Sequence, residues 1–112
     1  MSEIIDFIFD FGSPNAYFAY KVLPSIAAKH GAEINYIPCL LGGIFKGTGN
    51  QAPMMAFGTV KGKLDYDHIE IMRFIEAHGL SQFRMNKFFP VNTLLMMRAR
   101  LRRSNLVSLT LI

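Results

Sequence analysis

The chain has 112 residues, half of them hydrophobic, with ten Phe, seven Met and a net charge of +4. That composition excludes an intrinsically disordered chain and bounds it at one domain with a modest core. The single Cys39 excludes an internal disulfide framework, and no apolar run reaches the length of a membrane span. Glu3 and Asp6 interrupt the apolar start and no basic segment precedes it. No signal peptide is therefore expected, and the lone cysteine suits a reducing cytoplasm.

Ile4 to Phe11 is rich in β-branched and aromatic residues, as a strand covered on both faces is. Gly12 permits a tight turn, Ser13 is a good helix N-cap, and Pro14 suits the first helical position. This places the Ser13 hydroxyl at the C-terminal end of a strand and beside the positive end of a helix. Ligands of open α/β sheets collect at that edge, and an anion such as a thiolate is favoured there. On spacing alone, a simple capping role for Ser13 is the more common outcome.

The helix runs from Pro14 to His30 on an apolar stripe of Ala16, Phe18, Ala19, Val22, Leu23 and Ile26. Pro24 should kink or divide it, and Gly31 stops it. A second strand is expected from Glu33 to Cys39, which completes a βαβ unit. Gly42, Gly43, Gly47 and Gly49 then read as a loop that exposes Lys46, Thr48 and Asn50. A helix follows from Leu64 to His78, with Leu64, Ile69, Met72, Phe74 and Ile75 as its apolar positions and Gly79 as its stop. Ser81 to Pro90 connects to a last helix, which begins near Asn92 and carries Leu94, Leu95, Met96, Met97 and Leu101. The tail from Ser104 has the composition of a strand. One βαβ half followed by helices leaves the sheet incomplete, and two strands alone make a poor sheet.

All eight acidic residues lie at or before Glu76, so Arg84, Lys87, Arg98, Arg100, Arg102 and Arg103 follow without counter-charge. A solvated helix face explains this segment more simply than nucleic acid does, and no nucleic-acid or membrane partner is expected. The Gly-rich stretch lacks the G-K-[ST] ending of a phosphate loop. Its backbone N–H groups, Lys46 and the Asn50 amide still suit a carboxylate-bearing ligand. His30 and His78 precede glycines at helix ends, where a cation is favoured, and Asp65 with His68 is too sparse for a metal site. Cys39 without a second cysteine reads as a small apolar residue and not as a thiol catalyst.

Four stretches in order, DFGSPNAYFAY, LLGGIFKGTGNQAP, KGKLDYDHIEIMRFIEAHGL and RMNKFFPVNTLLMMRA, resemble the 2-hydroxychromene-2-carboxylate isomerases and their relatives, the kappa-class glutathione transferases. The similarity runs from about Ile4 to Arg100. It implies an α/β chain: a thioredoxin-like βαβ N-terminal half of the DsbA branch over 1–40, part of a helical insertion over 41–104, and a tail of uncertain origin over 105–112. It further implies glutathione as cofactor and a small aromatic acid as substrate, with cis-trans isomerisation through a thiolate that Ser13 stabilises. Ser13 matches the family serine that donates to the glutathione sulfur. Asn50 matches a residue of the glutathione or substrate site, with Lys46 and Pro53 nearby. Family chains run to roughly twice this length, so a truncated gene, a frameshift or a fragment is expected, without the cis-proline loop that flanks the sulfur. A kappa-type transferase or peroxidase is the alternative activity. An inactive fragment that associates with a partner chain, such as a second copy, is the non-enzymatic one.

Overall fold

A computed structural model describes residues 2–104. They form β1 (Ile4–Phe9), α1 (Pro14–Lys29), β2 (Glu33–Pro38), α2 (Leu41–Gly47), α3 (Pro53–Ala56), α4 (Lys63–His78) and α5 (Leu94–Ser104). The expected strand composition from Asn105 onward falls outside the described residues.

The chain divides into two compact units, one of Met1–Leu41 with the segment that starts at Phe88, the other of Gly42–Lys87. The sequence grouping had set 88–104 with the helices before it. The structure instead packs α5 with the βαβ elements, because Thr93, Met97 and Arg100 are buried there. These positions, four and three residues apart, form one helical stripe. The apolar stripe expected for this helix is largely outside: Leu95, Met96 and Leu101 are exposed.

In the first unit β1 and β2 are parallel, with Phe7 opposite Tyr36 and Phe9 opposite Pro38. The two faces of this sheet differ. Phe7, Phe9 and Tyr36 form a cluster of ring contacts 5.6–6.5 Å apart, joined by Tyr20 of α1. Ile4 and Ile8 on the other face are 66% and 59% exposed, next to an Asn35–Asp6 cross-strand hydrogen bond. The expectation of a strand covered on both faces therefore fails. α1 and α5 both contact β2, and residues of both join Phe7, Phe9 and Tyr36 around one cavity. Phe9, Phe18, Ala27 and Met97 are the buried apolar residues among those described.

α1 is one helix of 16 residues with Pro24 inside it, so the proline does not divide it.

In the second unit α4 follows the expected bounds within one residue, and Gly79 closes it at φ 64°. Its half-buried side is Ile71, Phe74 and Ile75, whereas Leu64, Ile69 and Met72 are exposed. The expected glycine loop is a helix over α2. Its C-terminal end follows the glycine pattern: Gly49 takes φ 66° and Asn50 N donates to the Phe45 carbonyl at 2.8 Å. The start of α2 has a cause outside its own sequence, since Leu41 N donates to the Asp10 carboxylate at 2.8 Å.

Candidate functional site

The turn from Asp10 to Ser13 sets the site. Ser13 N donates to the Asp10 carbonyl at 3.0 Å, which closes the turn. Gly12 N donates to Asp10 Oδ1 at 2.8 Å. A Cβ at Gly12 would meet Thr93 Cγ2 at 3.1 Å and Asp10 Oδ1 at 3.3 Å, so the closeness of these two side chains explains the glycine. Ser13 is extended (φ −98°, ψ 115°), and its Oγ accepts from Ala16 N at 3.2 Å as the N-cap of α1. Capping uses an oxygen lone pair only. The hydroxyl proton donates to no acceptor among the described residues, so it is available to a ligand.

Ser13 lines a cavity of about 260 Å³ in the first unit. Phe7, Phe9, Tyr36, Tyr17 and Tyr20 make it largely aromatic, and Asp10 and Arg100 supply charge. Its volume lies just under the roughly 300–1,000 Å³ of typical small-molecule sites, so it takes one ring or one end of a longer ligand. The Arg100 guanidinium stands 5.5 Å from the Phe9 ring centroid with only 6% of the residue exposed. A desolvated cation over a ring is held by up to about 2 kcal/mol. Burial and, second, the neighbouring Tyr20 push the Tyr36 hydroxyl above its ordinary range, so it stays a neutral phenol at the cavity wall.

Asp10 is a buried carboxylate with three donors. Thr93 Oγ donates to Oδ1 at 2.6 Å beside Gly12 N, while Leu41 N donates to Oδ2. Phe11 N donates to the Met97 sulfur at 3.4 Å, a second tie from the turn to α5. Cys39 sits close by, half-buried. Burial pushes its thiol up and the Asp10 charge adds to that. Both effects oppose a Cys39 thiolate, in keeping with a non-catalytic cysteine.

Ser13 thus lies in the first unit, and Lys46, Asn50 and Pro53 lie in the second. All three of the latter are exposed. Lys46 is in the last turn of α2, and Pro53 opens α3. The Asn50 carboxamide oxygen accepts from Gln51 N at 2.9 Å, which leaves its NH₂ group as the donor it presents. Asp10 and Arg100 were not among the sequence candidates. An acid set between Phe9 and Phe11 at a strand end was the available signal for Asp10. For Arg100 the signal was its spacing of three from Met97 and seven from Thr93.

Among the described residues no group of three or more His, Cys, Asp or Glu is placed to hold a metal ion, and no helix is long and apolar enough to cross a membrane.

The family profile described as DSBA-like thioredoxin domain matches residues 4–102. The chain is 34% identical over 77 residues to a 2-hydroxychromene-2-carboxylate isomerase of Pseudomonas putida, a match that covers 69% of this chain and 37% of that protein. It is 42% identical over 52 residues to glutathione S-transferase kappa 1 of Caenorhabditis elegans, covering 46% and 23% respectively. The matched regions thus span well under half of either relative. No solved structure gives a significant match.

Proposed function

The chain belongs to the DSBA-like thioredoxin domain family, and from that premise we propose that it acts as a glutathione-dependent cis-trans isomerase of 2-hydroxychromene-2-carboxylate-type aromatic acids. One observation carries the reading: the Ser13 hydroxyl caps α1, keeps its proton, and lines an aromatic cavity that also holds Arg100. The free hydroxyl proton and the helix end fit an anionic thiol ligand and act against the Asp10 carboxylate, which lines the same cavity and opposes negative charge there. The hydroxyl proton donates to the sulfur, and the N-terminal end of a 16-residue helix favours the same negative charge. The aromatic walls accept a ring, and Arg100 adds positive charge to the lining of the same cavity.

The chemistry that glutathione supplies when bound is reversible addition of its thiolate to a conjugated carbon, which frees the former double bond to rotate. The residues of the chain hold the thiol ionised, orient the ring and keep water from the cavity wall. Asn50, Lys46 and Pro53 are proposed as cofactor contacts through the exposed amide donor of Asn50, the Lys46 ammonium and the surface at Pro53.

The test is calorimetry of glutathione with the full chain and with Ser13→Ala, together with thiolate absorbance against pH. Loss of one charge-assisted hydrogen bond is expected to weaken binding by about 10- to 100-fold and to move the thiolate profile up by about one to two pH units. An unchanged profile in Ser13→Ala would sink the assignment. The nematode relative, with the higher identity, favours a second reading as a kappa-type transferase. Turnover of a chloro-aromatic acceptor with none of a chromene acid would select it. A folded chain that binds no glutathione would leave protein association, which the exposed Ile4 and Ile8 support.

A further inference from the structure

The Asp10 carboxylate has no task in the chemistry above, yet it is the most heavily tied polar side chain around the turn. It is 5% exposed. Its donors come from Gly12, Leu41 and Thr93, which lie 2, 31 and 83 positions along the chain. A buried carboxylate is costly unless such partners satisfy it. The bonds converge on the turn that carries Ser13: the side chain holds Gly12 N, and the main-chain carbonyl holds Ser13 N. Thr93 completes the arrangement. Its hydroxyl donates to Asp10 while its methyl occupies the space a side chain at Gly12 would need. The turn is therefore fixed from one residue, three positions before the hydroxyl, and that residue is itself fixed by a residue of the segment leading into α5.

We propose that Asp10, held by Thr93, is the positioning residue of the Ser13 site: it fixes the Gly12 turn so that the Ser13 hydroxyl stays both on the α1 cap and at the cavity. The geometric part stands by itself. The part that gives Ser13 a thiol to stabilise rests on the function proposed above.

The test uses the full chain with Thr93→Val, Thr93→Ser, Asp10→Asn and Ser13→Ala. The reporter is the Ala16 amide, which donates to Ser13 Oγ. Its hydrogen exchange is expected to rise about tenfold in Thr93→Val and to return to the original rate in Thr93→Ser. The Ala32 amide of the first unit, which donates to the Ala27 carbonyl, should not change and so reports opening of that unit as a whole. Asp10→Asn should speed the Ala16, Gly12 and Leu41 amides together. Should that variant fail to fold, the Thr93 pair still decides the matter. The glutathione thiolate profile of Thr93→Val should move to higher pH, as in Ser13→Ala, and Thr93→Val should add nothing in a Ser13→Ala background. Unchanged Ala16 exchange in folded Thr93→Val would overturn the proposal, as would full additivity in the double variant. A profile that Ser13→Ala does not move would instead overturn the glutathione reading, while the exchange measurement still decides the role of Asp10.

Discussion

Cys39 reports on the surroundings of the site. Its amide donates to the Phe9 carbonyl at 2.9 Å, just beyond the sheet, and its thiol feels burial first and the Asp10 charge second. Both raise the pKa, so the unfolded chain ionises this thiol before the folded one does. The stability it contributes is fully present below the ordinary thiol pKa and is lost as pH rises through the raised value. Alkylation of the native protein at pH 8 should accordingly be several-fold slower than that of a free cysteine, and should quicken in denaturant. Asp10→Asn should recover part of the rate. A native rate equal to that of free cysteine would contradict this picture. At this scale the sequence was legible where a residue acts through its neighbours, as Ser13 does on Ala16. It was silent where a residue acts at a distance: nothing near Asp10 points to Thr93, 83 positions away.

The same contrast holds for whole elements. β1, α1, β2 and α4 follow from their apolar patterns and their stops, since local propensity and packing agree there. α2 does not. Gly42, Gly43 and Gly47 weaken it as a helix, and its first amide is capped by a side chain 31 residues earlier. The buried side of α5 is also hidden in the sequence, because an arginine follows Met97 on that side and the residue that continues it before the helix is a threonine. α1 shows tolerance in the opposite sense. It carries Pro24 in its interior at an exposed position and forgoes one backbone hydrogen bond without dividing. Pro24→Ala should restore that bond and stabilise the chain by about 1–3 kcal/mol, visible as a higher midpoint in urea. A lower midpoint would show that proline here stabilises the chain, by restricting its unfolded state, more than the missing bond costs.

For the molecule as a whole, the open face of the two-stranded sheet is the feature with the widest effect. Ile4 and Ile8 stand largely in water on one face, and the core on the other draws on few fully buried residues. An apolar surface of this kind binds hydrophobic dyes in the native state. The double variant Ile4→Lys/Ile8→Lys should lose most of that dye fluorescence with little loss of stability, because each side chain already lies more than half outside. Fluorescence that survives the double variant would place the dye on another surface.

The division of the chain also fixes an order of events during synthesis. The first unit is discontinuous: its strands and first helix are made before Leu41, and its closing helix only after Phe88. The second unit is continuous and emerges whole between them. A nascent chain therefore carries Asp10 for 83 residues before Thr93 exists to tie it down. The local bonds can close the turn early, but its tie to Thr93 waits on a contact of high sequence separation, the slow class of folding event. The Ser13 turn is thus translated well before the residue that ties it down.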